Sequence, residues 1–543
     1  MNISNKINKF TYYLTAILAT SSISCKTYSV KDTIENQAPY YTNYAKLIHS
    51  NITYQDTYDK IWNSIFDNFE TVTEAEIGKM TKKLIDEKTF YSHNPFFIGF
   101  SSSAYQFEGG IGDECSWHEF ALKNNLTLPE QGCGFWQNYE TMIKEMKDIG
   151  HINAFRMSIE WSRVEKTEGI FDQEALDHYR KIIQTLRDNN IEPVIVLNHY
   201  TMPTWFEKKG DFVKSSNIAY FVRFAEIIYL SFYDLVIKLS TCNAPEGIAF
   251  KGYYTKTGAP GKEKSLQKTM LFMQNILEAH VQIYELIKGN PIKQTTGLWQ
   301  ELQKKHPFMV IPEPMIGIQK NIIQFDIAND TYTHLLAAPI TGMLNKKAVG
   351  LTDDPFYGFF TTGRFFSKSI APWTNINHIN KMAPYSLDWI GVNYYSNKKR
   401  YLLSDVKDTD IRKTTLNENY RFYPQGLYRA VCQINEKLLK PITLKTNRII
   451  PIWITENGIA SIDENQREEF NKKIMIVIYK LIQENFPIIG YTQWASHDNW
   501  EWGSQPGTKR YGSFFVDFEN VYGPHPLKTG AQGLTEFIKE VVN

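Results

Sequence analysis

The 543 residues carry almost no net charge, with 59 lysines and arginines against 58 aspartates and glutamates. With no basic excess and no local basic tract, the chain lacks the electrostatic footprint of a nucleic-acid binder. Cysteines are few, five in all. No CxxC pair or histidine-rich spacing accompanies them, so no metal centre is implied. Glycine-rich phosphate loops, internal repeats and low-complexity tracts are also missing. The uncharged stretch Phe10–Ile23 is too short, and too rich in Thr and Ser, to span a bilayer comfortably.

That stretch follows Lys6 and Lys9, and a short positive segment before an apolar one reads as an export signal. The expected location is therefore periplasmic, cell-surface or secreted. Ser22-Ile23-Ser24-Cys25 is a marginal lipoprotein-type cleavage site. Cleavage there would leave a lipidated Cys25 as the only membrane attachment; ordinary cleavage nearby would leave none. Four cysteines remain beyond it: Cys115, Cys133, Cys242 and Cys432. An exported chain permits disulfides among them, Cys115 with Cys133 closing a local loop, and equally permits four free thiols.

What the sequence has in quantity is apolar and aromatic surface. Hydrophobic residues make up 43% and charged residues 22%, the mix of a soluble globular protein with a substantial core. Aromatic residues reach 14%. Either the core is rich in rings, or rings line a cleft that stacks on the apolar faces of sugars; composition alone favours the core.

Short apolar runs alternate with amphipathic ones from Phe96 onward. Strands are predicted at Phe97–Ser103, Ala154–Trp161, Pro193–His199, Leu239–Asn243, Met315–Ile318, Leu387–Tyr395, Ile450–Glu456 and Ile488–Trp494. Helical patterns between them include Trp136–Ile149, Gln173–Asn189, Ile218–Lys238 and Glu464–Glu484. Eight such units predict an α/β fold, a (β/α)8 TIM barrel over 93–543. An export signal (1–25) and an N-terminal helical extension (26–92), with a helix at Thr73–Glu87, precede it. The fifth strand lies in a long, poorly periodic region, 290–370.

A barrel places its active face at the C-terminal ends of the strands. Polar residues recur there: Gln106 just after strand one, His199 ending strand three, Asn243 ending four, Tyr395 ending six, Glu456 ending seven and, with them, Trp494 ending eight. In Trp453-Ile454-Thr455-Glu456-Asn457-Gly458 an apolar strand delivers a carboxylate at its last position before an Asn-Gly turn. A carboxylate held this way can attack an anomeric carbon and form a glycosyl-enzyme intermediate; a strand-end Glu in a solvated turn is the plainer alternative.

The segments FSSSAYQFEGG (Phe100–Gly110), FRMSIEWSR (Phe155–Arg163), NHYTMP (Asn198–Pro203), GVNYYS (Gly391–Ser396) and GYTQWASHDNWEW (Gly490–Trp502) occur in order around this motif. Gly252-Tyr253, Ala259-Pro260-Gly261 and Asn275 with Ala279-His280 are lesser landmarks. Together the set resembles family 1 glycoside hydrolases, retaining barrels of the β-glucosidase and β-galactosidase type. The resemblance runs from about residue 95 to the C-terminus. It implies that Glu456 is the nucleophile, with Arg156 beside it and Tyr395 donating a hydrogen bond. Both partners would favour a charged carboxylate. It further implies that Gln106, His199, Asn243 and Glu501 bind glycone hydroxyls while Trp494 and Trp502 supply ring faces. The implied partner is a small β-linked carbohydrate, and no cofactor is called for.

One departure stands out. The family's general acid/base is the Glu of an Asn-Glu-Pro motif ending strand four, and here the segment reads Thr241-Cys242-Asn243-Ala244-Pro245-Glu246. Alanine occupies the carboxylate's position. Glu246 is two residues further on, several ångströms from where retaining geometry wants a second carboxyl, about 5–5.5 Å from the first. Asp211, following Lys209-Gly210 where the family usually has tryptophan, is a second distant candidate. Losing a positioned acid costs roughly 10²–10⁴-fold, and falls hardest on leaving groups that need a proton. The resemblance covers thioglycosidases that lack this carboxylate and receptor-like members without turnover. The expected function is thus a β-glucosidase-type glycosidase with impaired or specialised hydrolysis, or else a non-catalytic sugar- or partner-binding barrel.

Overall fold

The computed structural model describes residues 96–531 apart from 151, 328–337, 369–374, 403, 407–414 and 418–419. The export segment with Cys25, and the extension 26–92 with its helix at Thr73–Glu87, lie outside the described residues.

Eight parallel strands close into a barrel in chain order. They are β1 (Phe97–Ser101), β2 (Ala154–Ser158), β3 (Glu192–Val196), β4 (Lys238–Asn243), β5 (Met315–Asn321), β6 (Trp389–Asn393), β7 (Ile452–Glu456) and β8 (Ile488–Trp494). β1 and β8 complete the ring, with Phe97 opposite Gly490 and Ser101 opposite Trp494. Nearly every strand residue is buried. Strands covered on both faces by a barrel interior and a helical shell are built around short apolar runs, which made them visible in the sequence.

Helices fill the crossovers: α1 (Phe135–Asp148), α2 (Gln173–Asp188), α3 (Ile218–Phe232), α4 (Leu266–Lys288), α5 (Ala338–Thr362), α6 (Gly426–Ile434) and α7 (Glu464–Gln483). Asp172 caps α2 through the Ala175 amide, and Asp463 caps α7 through the amides of Asn465 and Gln466. The helix expected over Ile218–Lys238 stops at Phe232 instead. Two arginines of α2 take over there: Arg180 donates to Ser231 O and pairs with Asp234, and Arg187 donates to Leu235 O (2.7 Å). The chain is thereby turned into β4, which starts at Lys238.

The end of the barrel opposite the functional face is plugged by a small apolar cluster of Phe97, Ala154, Val194, Trp389, Trp453 and Ile489. The Phe97 and Trp453 rings stack at 5.0 Å, and Trp389 packs against Trp453 at 6.0 Å. His280 of α4 bonds Thr241 Oγ1 in β4 and the Ser386 carbonyl ahead of β6, each at 2.8 Å. Burial lowers this imidazole to about 4, so it is a neutral clamp on the wall.

Candidate active site

At the C-terminal face, β7 ends on Glu456, which is 6% exposed. The Tyr394 amide donates to the Glu456 carbonyl, Asn457 Nδ2 donates to the Tyr394 carbonyl (2.6 Å), and the Trp494 amide donates to the Asn457 carbonyl. β6, β7 and β8 are thus laced together around the carboxylate. A Cβ on Gly458 would sit 2.0 Å from Trp494 O, so the turn after Asn457 requires glycine.

Two side chains grip the carboxylate. Arg156, third residue of β2 and fully buried, places Nη1 2.8 Å from Glu456 Oε1. Tyr395 donates its phenol to Glu456 Oε2 at 2.9 Å. Burial and the Glu456 charge push that phenol well above its usual range, so it keeps its proton and remains a donor. The Tyr395 ring is held by stacking on Tyr420 at 5.3 Å.

A polar chain runs across the next strands. Thr455 Oγ1 donates to Asn393 Oδ1 (2.7 Å), Asn393 Nδ2 donates to Asn243 Oδ1 (2.8 Å), and Asn243 Nδ2 lies 3.0 Å from His199 Nε2. With the amide donating, His199 Nε2 is the acceptor and its proton is on Nδ1. Burial, reinforced by the Arg156 and Lys251 charges, holds this imidazole well below its usual range and therefore neutral. His199 Nε2 is 3.9 Å from Glu456 Oε1, and among the described residues Nδ1 has no hydrogen-bond partner. A buried donor without a partner is a position that a ligand oxygen satisfies.

Gln106 lies on a single helical turn, Ala104–Phe107, after β1. Its amide nitrogen donates to the Trp500 carbonyl (2.8 Å) and its oxygen accepts from Ser103 (2.7 Å), which leaves one lone pair of that oxygen uncommitted. Trp494 ends β8, its indole packs beside His199 (5.9 Å), and its Nε1 donates to Glu501 Oε1 at 2.9 Å. Burial raises the Glu501 carboxyl to about 8, against the opposing effects of that hydrogen bond and of Lys509 and Lys251. Trp502 packs against Trp117 (4.7 Å) and Tyr200 (5.2 Å). His199 and Tyr395 follow the ends of β3 and β6 by a few residues, whereas Asn243, Glu456 and Trp494 are the last residues of their strands.

Ala244 is buried, in the left-handed region (φ 50°), at the N-cap of a short helix, Pro245–Phe250. Neither carboxylate considered in its place reaches the cleft. Glu246 points into the wall between β4 and β5, where its Oε1 accepts from the Asn321 amide (2.7 Å) and pairs with the buried Lys320 (3.4 Å). Asp211 is also buried: it accepts from the Val213 amide and from the Tyr253 phenol. Asp211, the second candidate, is therefore held in a structural position, because a buried carboxylate is kept where donors surround it.

Lys251 went unnoticed in the sequence. It opens a single π turn, Lys251–Thr255, that continues the Pro245–Phe250 helix, and a lone lysine in a helical segment looks like a solvated one. Instead it is half-buried, with Nζ 4.6 Å above the Tyr200 ring. Away from the cleft, Glu145 of α1 accepts at Oε2 from His497 Nε2 (2.9 Å) and lies 3.0 Å from His525 Nδ1. Among the described residues this trio is a cluster that could hold a metal ion, and its contacts tie α1 to the chain after β8.

The sequence profile of glycosyl hydrolase family 1 fits residues 87–541. The chain belongs to that family. A 6-phospho-beta-galactosidase of Clostridium acetobutylicum is 26% identical, over 78% of this chain and 92% of its own length. A beta-galactosidase of Sulfolobus acidocaldarius is 25% identical over 78% of this chain and 90% of its own. Among solved structures, the beta-glycosidase from Pyrococcus horikoshii superposes with a TM-score of 0.65 at 26% identity, covering 82% of this chain and 94% of that one. The four cysteines of this family 1 barrel, Cys115, Cys133, Cys242 and Cys432, are free thiols.

Proposed function

We propose that this family 1 chain is a retaining β-glycosidase of the β-glucosidase type, with Glu456 as nucleophile and no carboxylic acid at position 244. The observation that carries this reading is the double hold on Glu456 by Arg156 (2.8 Å) and Tyr395 (2.9 Å). A carboxylate kept oriented in this way is ready to attack an anomeric carbon as the glycosidic bond breaks, forming a glycosyl ester. His199 Nδ1, Asn243, the free lone pair of Gln106 and Glu501 take the glycone hydroxyls, and Trp494 and Trp502 take its apolar face. Substrates with good leaving groups are favoured, because Ala244 removes a proton transfer worth roughly 10²–10⁴-fold.

The test is release of dinitrophenol from its β-glucoside, with and without azide, against Glu456→Gln. Azide, an anion that needs no base to activate it, is expected to accelerate release and to give a β-glycosyl azide. Release no faster than the Glu456→Gln blank, from folded protein and with galactosides and mannosides also tried, would leave a sugar-binding barrel without turnover. Ala244 is the residue that favours that second reading.

A further inference from the structure

The place left by the missing carboxylate is not without a titratable group. Tyr200 has a left-handed backbone (φ 70°) and presses its phenol against the Pro245–Phe250 helix. A Cβ on Gly247 would lie 2.3 Å from the Tyr200 hydroxyl and 3.7 Å from the Ala244 Cβ. The Tyr200 ring therefore walls the cleft beside Ala244, between the Trp502 ring (5.2 Å) and His199 (5.9 Å). On this ring sits the ammonium of Lys251, 4.6 Å from the centroid. Among the described residues it has no ion-pair or hydrogen-bond partner, although long lysines usually find one or reach water.

We propose that Lys251 is the proton donor of this cleft, its ammonium protonating the departing glycosidic oxygen and its amine then accepting a proton from the water that frees Glu456. This rests on the reading of Glu456 as nucleophile. The steps balance: as the C1–O bond breaks, a Glu456 oxygen bonds C1 and the Lys251 Nζ–H proton goes to the leaving oxygen. In the second step water bonds C1, its proton returns to Nζ, and the Glu456 carboxylate leaves.

The surroundings suit an ammonium that gives up its proton. Burial lowers Lys251 to about 8, against the raising effects of Glu501 and Glu456, while Lys509 adds to the lowering. The charged groups acting on it are thus Glu456 at the end of β7 with Glu501 and Lys509 from the loop after β8, and the neutral His199 and Tyr200 lie in the loop after β3. A face-on ring stabilises the cation without supplying a proton acceptor. A group titrating close to the working pH is the useful compromise between holding a proton and transferring it.

Lys251→Arg and Lys251→Met separate charge from proton transfer, since a guanidinium keeps the charge but does not release its proton. The two variants are assayed beside the wild type and Glu456→Gln on dinitrophenyl and methyl β-glucosides. On the dinitrophenyl glucoside, release in the first turnover is expected to stay within a few-fold of wild type. On the methyl glucoside both variants are expected to lose about 10²-fold. The wild-type rate on that substrate should fall as pH rises through about 8, and this limb should be missing in both variants. Wild-type cleavage that depends on Glu456 but is matched by Lys251→Arg on the methyl glucoside would overturn the role of Lys251 alone. Equal losses on both glucosides would also overturn it. No Glu456-dependent release from either glucoside would overturn the nucleophile reading, and Lys251 with it.

Discussion

At the scale of single residues, the cleft is defined by how each polar atom is spent. Tyr395 spends its only donor on Glu456. A hydrogen bond to a charged group contributes about 1.5–3 kcal/mol. Tyr395→Phe is therefore expected to slow dinitrophenol release roughly ten- to a hundred-fold with the fold intact, read from kcat beside an unchanged thermal midpoint. Position at the strand ends was legible because the apolar runs that deliver these residues can be read along the chain. Orientation was not. Glu246 and Asp211 are carboxylates near the right place in the sequence, yet both are turned into the wall by Lys320, Asn321 and Tyr253. Lys251 had the opposite fate, a surface-looking lysine folded over a ring. Side-chain direction depends on partners from other strands, and spacing along the chain carries little of that.

At the scale of elements, all eight strands could be read from sequence because each carries a short apolar run between helical patterns. Their ends were less visible. β5 continues past Ile318 through Gln319, Lys320 and Asn321, which read as a loop because they are polar. In the barrel they find partners on neighbouring elements: Ser240 donates to Gln319 Oε1 (2.5 Å), and Lys320 pairs with Asp353 (2.9 Å). The helix α3 ended early for a similar reason, since α2 supplied the arginines that stop it. The apolar plug at the far end is built on tryptophans at the starts of β6 and β7. Trp453→Ala removes its stacked centre and is expected to cost about 3–5 kcal/mol, seen as a lower denaturant midpoint. Glycosylation by Glu456 at the opposite end should change little in the fraction that remains folded.

At the scale of the whole molecule, the barrel brings together residues from seven strands and the loops after them: Gln106, Arg156, His199, Asn243, Tyr395, Glu456 and the pair Trp494 and Glu501. They are spread over nearly four hundred positions of the chain, and only the closed eight-strand order makes them neighbours. On the proposed reading, one face of that assembly holds a sugar and attacks it. Its proton-transfer side has alanine where the family has a carboxylate. The intermediate is expected to form from an activated substrate and, where a fluorine at C2 slows its hydrolysis, to persist. The measurement that tests this most directly is the mass of the intact protein after incubation with dinitrophenyl 2-deoxy-2-fluoro-β-glucoside, followed by peptide mapping. A mass gain of one fluoroglucosyl unit, located on the peptide carrying Glu456 and abolished in Glu456→Gln, is the expected result. An unmodified mass from folded protein, or label on any other carboxylate, would contradict Glu456 as the nucleophile.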